Sequence, residues 1–185
     1  MRYLIFNKPY GVLSQFTDEG TGHNTLKEFI DVSGVYAAGR LDRDSEGLLL
    51  LTDDGQVIKN LTDPQHHVEK TYCVLIEGEP SPDKLTQLEN GIQLKGYQTQ
   101  PCKIRLIADP DLPPRPKPIT PHGPTAWLEI KLREGKKRQI RHMTAAQGLF
   151  TLRLFRAAIG PIRVGKLRPG ERRELTPHEI RLLKK

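Results

Sequence analysis

Residues 39–55 read Gly39-Arg40-Leu41-Asp42-Arg43-Asp44-Ser45-Glu46-Gly47-Leu48-Leu49-Leu50-Leu51-Thr52-Asp53-Asp54-Gly55. Four consecutive leucines bounded by turn signals predict a strand buried on both faces. The seven residues 40–46 just before them carry five charges. Charged side chains that close to a buried strand must be paired or must line a cleft. An Asp held between Arg40 and Arg43 has its ionised form favoured. Taken alone, a salt-bridged turn is the commoner meaning of such a cluster.

Outward from this stretch, the apolar spacing predicts further strands over residues 3–7, 35–38, 71–77, 127–133 and 149–154. Helices are predicted over 26–30, 56–62, 82–89, 137–147 and 179–183. Thr25 with Glu28 has capping-box spacing, and Ser81 followed by Pro82 is a helix start with Pro at the first position. Residues 108–124 hold seven prolines and read as a loop. Short strands mixed with short helices, without a βαβ rhythm, predict an α+β fold around a mixed, mostly antiparallel sheet. The 185 residues suit a single domain, 1–185.

Charge is distributed unevenly. Residues 1–92 carry 8 Lys/Arg against 15 Asp/Glu, and residues 93–185 carry 21 against 7. That asymmetry predicts a polyanion-binding face built by the second half. No apolar run is long enough to span a bilayer, and the first residues read as a strand, not a signal peptide. Cys73 and Cys102 are expected as plain reduced thiols, in a soluble cytoplasmic protein with no membrane partner. There is no P-loop and no dinucleotide fingerprint. The six histidines lack metal-site spacing, and the His66-His67 pair reads as a loop feature. Neither a redox nor a metal enzyme is expected, and no helix-turn-helix or zinc-finger pattern points to DNA.

The 39–55 run resembles the signature of RsuA-class ribosomal pseudouridine synthases, in which GRLD is followed at fixed spacing by GLLLLT. Further segments resemble that family in the same order: Phe6-Asn7-Lys8-Pro9-Tyr10-Gly11-Val12, Glu69-Lys70-Thr71-Tyr72, residues 134–143 (EGKKRQIRHM), and residues 154–161 (LFRAAIGP). The resemblance implies the pseudouridine synthase catalytic fold, with its cleft between two lobes. It implies conversion of a uridine in ribosomal RNA, expected to be that of the large subunit, by a monomer. This isomerisation leaves the formula unchanged, so no cofactor, metal or cosubstrate is expected.

By the same resemblance Asp42 is the catalytic carboxylate and Arg141 its ion-pair partner. Tyr72 stacks on the target base and relays its C5 proton, and Ile140 packs on the other face. Arg40 would fill the space left by the flipped base. Lys8, Lys136, Lys137, Arg138, Arg153 and Arg156 would contact phosphates. Gly39 and Gly47 would be backbone requirements. Two departures stand out: many family members carry a small S4-type RNA-binding domain before the catalytic domain, whereas this sequence begins at the catalytic motif, and Arg138 stands where relatives often have His. The rival reading is a non-catalytic RNA-binding or ribosome-assembly protein using the same basic face. The cleft is expected between the acidic first half and the basic second half.

Overall fold

The computed structural model describes residues 1–66 and 68–184, so the second member of the His66-His67 pair lies outside the described residues. The leucine run lies in strand β3 (Glu46–Thr52), antiparallel to β1 (Tyr3–Lys8), with Tyr3 opposite Thr52 and Lys8 opposite Gly47. The two-residue β2 (Tyr36–Ala37) pairs with the far end of β3. Helix α1 (Gly55–Thr62) follows, capped by Asp54. Every residue of β1 and β3 is buried. Alternate side chains go to opposite faces: Tyr3, Ile5, Leu48 and Leu50 meet α1, while Leu4, Phe6, Leu49 and Leu51 meet Leu26, Ile30 and Val35. Cover on both faces is why this antiparallel strand reads as an unbroken apolar run.

The second lobe is built on β4 (Lys70–Glu77), β7 (Lys103–Ile107), β8 (Thr125–Leu132) and β9 (Phe150–Ile159). Between β4 and β7 lie α2 (Pro82–Glu89) and a small hairpin, β5 (Gln93–Leu94) with β6 (Tyr97–Gln98). Helix α3 (Gln139–Ala146) lies between β8 and β9. After β9 come β10 (Ile162–Arg163), β11 (Arg172–Glu174) and α4 (Pro177–Leu183). One sheet carries both lobes in the order β11-β1-β3-β9-β4-β8-β7. Its pairings are antiparallel except β3 with β9, where Glu46 faces Phe155 and Gly47 faces Arg156. The fold is thus α+β with a mostly antiparallel sheet.

That parallel seam requires Gly47. Its φ is +102°, and a Cβ there would lie 2.4 Å from the Arg156 carbonyl oxygen. Gly39, at φ +84°, also holds a left-handed backbone.

Three expectations need correction. The lobes do not follow the halves of the sequence: β4 belongs to the second lobe, while β11 returns to pair with β1. The strand expected over 149–154 continues to Ile159, because the arginines that interrupt its apolar pattern are themselves buried. Strand β7 was hidden by Lys103 and Arg105, which alternate with inward Ile104 at a sheet edge. The capping box Thr25–Glu28 and the Ser81 cap appear where predicted, the former on a single 3₁₀ turn.

Candidate active site

The turn over residues 39–45 is held from beneath by the end of β1 and the loop after it. Ser14 Oγ donates to the Leu41 carbonyl at 2.8 Å and accepts from the Leu41 N–H at 3.0 Å. The Gly11 N–H donates to the Arg43 carbonyl at 2.8 Å, and the Ser45 N–H closes the turn on the Asp42 carbonyl at 3.0 Å. Lys8 is fully buried and donates from Nζ to the carbonyls of Pro9, Val12 and Arg43 at 3.0, 2.6 and 3.4 Å. Burial pushes its ammonium down to about 7, against the pull of Glu46, Asp44 and Asp42.

Three carboxylates leave this turn at alternate positions and meet different surroundings. Glu46 is buried and clasped by Arg153, Nε to Oε2 at 2.9 Å and Nη2 to Oε1 at 2.7 Å. The same Nη2 donates to the Pro113 carbonyl at 2.7 Å, anchoring the proline-rich loop over the seam. Asp44 accepts both prongs of Arg138, at 2.9 and 3.0 Å, and lies 3.3 Å from Arg141 Nη2. Burial alone raises the Asp44 carboxyl, but the hydrogen bonds from Arg138 and the charge of Arg141 leave it below its ordinary value. Asp42 has no hydrogen bond to its carboxylate among the described residues. Its closest cation is Arg138, 3.9 Å from Nη1 to Oδ2, and its side chain is 31% exposed.

Arg138 and Arg141 come from the start of α3. Arg138 occupies the N-cap position in a left-handed conformation, φ +53°, which costs a non-glycine residue about 1–2 kcal/mol. Gln139 organises the loop before it, donating to Glu134 and accepting from the Lys136 N–H at 3.1 Å. Arg141 Nη2 donates to the Asp44 carbonyl at 3.0 Å and Nη1 to the Thr151 carbonyl at 3.3 Å. Burial lowers the Arg141 guanidinium from its ordinary value, and the nearby charges of Asp44 and Asp42 oppose that. Tyr72, on β4, and Ile140, on α3, are buried in one apolar cluster with Leu41. The chain neighbours of Asp42 and Arg141 thus share a floor with Tyr72.

The sequence expectations fare unequally here. Arg141 takes Asp44 as its ion-pair partner, not Asp42, because Asp44 is the residue of the turn that reaches both arginines. Lys8, Arg153 and Arg156 cannot lie against phosphate: Lys8 holds carbonyls, Arg153 holds Glu46, and Arg156 Nε donates to the Leu48 carbonyl at 2.8 Å. All three are buried. Arg40, Lys136 and Lys137 are exposed, and Arg138 is half-buried. Lys136 sits 4.3 Å over the Tyr97 ring. Sequence reasoning did not single out Asp44 and Glu46; their alternation with Asp42 was the available signal. It also missed Arg115, which lies 4.6 Å over the Tyr10 ring.

A concavity of about 430 Å³ lined by Gln87, Asn90, Gln93 and Gln147 lies at the opposite end of α3 from Arg138 and contains no acid or base. Among the described residues no three His, Cys, Asp or Glu side chains gather as metal ligands would. No helix among them is long and apolar enough to cross a membrane.

Residues 2–146 match the model of the RNA pseudouridylate synthase family. The chain is 48% identical over 177 residues to the ribosomal large subunit pseudouridine synthase E of Vibrio vulnificus, covering 95% of this chain and 75% of that protein. It is 51% identical over 172 residues to the protein of that name from Xanthomonas campestris pv. campestris, covering 91% and 92%. A solved structure, "Crystal structure of pseudouridylate synthase", is similar with a TM-score of 0.84 and 32% identity, covering 98% of this chain and 73% of that one.

Proposed function

The chain belongs to the RNA pseudouridylate synthase family, and from that membership we propose that it converts a uridine of large-subunit ribosomal RNA to pseudouridine at Asp42, as a cytoplasmic monomer needing neither cofactor nor metal. The substrate class rests on the two similar large-subunit enzymes. The observation that carries the site assignment is the state of the three carboxylates. Glu46 and Asp44 are saturated by arginines, and Asp42 alone keeps open oxygen atoms, in a half-buried position.

The reaction breaks the N1–C1′ bond, turns the freed uracil, and forms a C5–C1′ bond. N1 gains a proton and C5 loses one, so the formula is conserved. The uridine must first leave its stack, at a cost of a few kcal/mol. Exposed Arg40 fills the vacated space, while Lys136 and Lys137 hold phosphates without reading sequence. Asp42 supplies the carboxylate that assists cleavage at C1′. Arg141, held on the same turn by Asp44, sets a positive charge beside the site. Tyr72 offers a flat face to one side of the base and a hydroxyl for the C5 proton, and Ile140 closes the other side. The apolar floor shared by Tyr72, Ile140 and Leu41 keeps the detached uracil from water until it recombines.

The test is tritium release from C5-labelled ribosomal RNA by the Asp42→Asn protein, beside a binding titration. Asn keeps the volume and the hydrogen-bonding capacity but loses the charge. Turnover should fall by about a thousandfold or more with RNA affinity nearly unchanged. Near-parent release would remove Asp42 from the chemistry and favour a protein that only binds RNA.

A further inference from the structure

The second lobe's sheet carries its base-pocket residues on one face and a row of cations on the other. Tyr72, Ile104 and Ile130 pack with Leu88 of α2 and Ile140 of α3 on the first face. Strand alternation sends Lys103, Lys131 and Thr71 to the opposite face. There the register aligns them with Ala158 of β9 and Arg163 of β10, one row across five strands. The next row holds Arg105, Glu129, Cys73 and Phe155. Four cations thus share one acid. Glu129 takes Arg105 Nε at 2.9 Å and Lys131 Nζ at 3.9 Å. The Arg105 hydrogen bond, with the charges of Lys131 and Arg163 behind it, holds its carboxyl below the ordinary value against partial burial. A hollow of about 170 Å³ opens among Lys103, Arg105, Glu129 and Lys131.

Charges on an edge strand guard its unpaired backbone, which accounts for Lys103 and Arg105 on β7, the last strand of the sheet. It does not account for Lys131, on a strand paired along both sides, or for Arg163 on β10. The cations also lead somewhere. Beyond Lys131 the chain continues through Arg133, 62% exposed with Glu69 at 3.8 Å, to exposed Lys136 and Lys137 beside the cleft. The acid within residues 131–138, Glu134, is buried and occupied by the Gln100 N–H and by Gln139. Lys131 stands opposite Thr71, the chain neighbour of Tyr72. The row therefore lies directly behind the floor of the cleft, and a basic path round the end of β8 joins the two faces.

We propose that this face is a second RNA interface: a strand of ribosomal RNA leaving the cleft passes over residues 133–137 and lays its phosphates across Lys131, Lys103 and Arg163. Five strands spaced at 4.7–4.9 Å give the row a span of about 19 Å. Contacts of this kind fix the position of the RNA without reading its sequence. The surface would add affinity and register to what the cleft provides, and leave the choice of base to the cleft. The identity of the polyanion rests on the reading of the chain as a ribosomal RNA enzyme.

The experiment measures ribosomal RNA binding by the Asp42→Asn protein, so that no turnover intervenes. Neutralising the row with Lys103→Gln, Lys131→Gln and Arg163→Gln should weaken binding about tenfold or more. The slope of log affinity against log salt should fall by about 2, as loss of three single-strand phosphate contacts requires. A charge-matched control, Lys27→Gln with Lys59→Gln and Arg181→Gln, removes three exposed cations elsewhere. It should weaken binding less than about threefold, because salt screens charges more than about 10 Å from the RNA. Lysine acetylation of the Asp42→Asn protein gives a readout that does not depend on how the triple variant folds. Bound RNA should protect Lys103 and Lys131 at least about threefold and leave Lys27 and Lys59 reactive. The proposal is overturned if Lys103 and Lys131 stay as reactive as in the free protein. It is also overturned if both triple variants lose the same affinity, or if polyglutamate protects the two lysines as well as RNA does. Tritium release by the parent judges the other reading separately. Turnover with an unprotected row removes this surface alone, and protection without turnover removes the chemistry alone.

Discussion

Two carboxylate–arginine pairs leave one turn two residues apart. Glu46 with Arg153 is sealed in the seam, their side chains 4% and 7% exposed, and Asp44 with Arg138 stands at the surface of the cleft, 32% and 38% exposed. Both are two-pronged, and both tie the first lobe to residues roughly a hundred positions later. Burial separates them. A charge sealed from water has no replacement for its partner, so the Glu46 pair is committed to holding the seam. At the cleft, water can stand in for a lost partner, so little stability depends on the Asp44 pair. The same chemical motif is thus mortar at one position and nearly dispensable to the fold at the other.

The sharpest way to break this contrast is to neutralise each acid in turn. Glu46→Gln should cost about 3–5 kcal/mol of folding stability, because Arg153 is left charged and buried. Asp44→Asn should cost less than about 1 kcal/mol. Urea denaturation of both variants measures the difference, and equal losses would erase it. Next in size is Gly47→Ala, which drives a Cβ into the Arg156 carbonyl and strains a backbone at φ +102°. It should cost about 2 kcal/mol or more, by the same denaturation, and should mimic Glu46→Gln because both open the seam.

The effect that is smallest per unit of the variable it is read against concerns Lys8, the buried cation under the same turn. Its folded-state value of about 7 lies below its ordinary 10.5. Between those pH values the unfolded chain keeps a proton that the folded chain has released. Stability therefore rises with pH across this window, by at most about 1.4 kcal/mol per pH unit. Below about pH 7 both states are protonated and the slope vanishes. The parent's stability minus that of Lys8→Met should follow this curve. A flat difference between pH 7 and 10 would show that Lys8 stays charged in the fold, held by its three carbonyls.

Local signals carried much of this architecture into the sequence. The run of leucines announced β3, the Thr25–Glu28 spacing announced a cap, and the acid at position 42 was visible among the charges before the strand. The resemblance to a known family supplied the roles of Tyr72, Ile140 and Arg141. What stayed illegible depends on partners distant in the chain. Arg153 and Arg156 read as phosphate contacts through the resemblance and the basic second half; only the fold brings Glu46 and the Leu48 carbonyl to them. For the same reason β9 looked five residues too short at its end. The choice of Asp44 over Asp42 as partner of Arg141 depends on the local geometry of the turn, which spacing does not encode.

The seam also sets a schedule. Every clasp that the second lobe makes around Asp42 joins the turn to residues 94 to 108 positions further on: Asp44 to Arg138 and Arg141, Glu46 to Arg153, Leu48 to Arg156. During synthesis, a chain that has emerged only as far as β8 already has Asp42 and Tyr72. It still lacks both arginines of the cleft and the strand that seals the seam. Contacts of such sequence separation close late, so the nascent protein has no assembled site until those arginines have emerged. It can meet the RNA around it at the ribosome without acting on it until α3 and β9 are made.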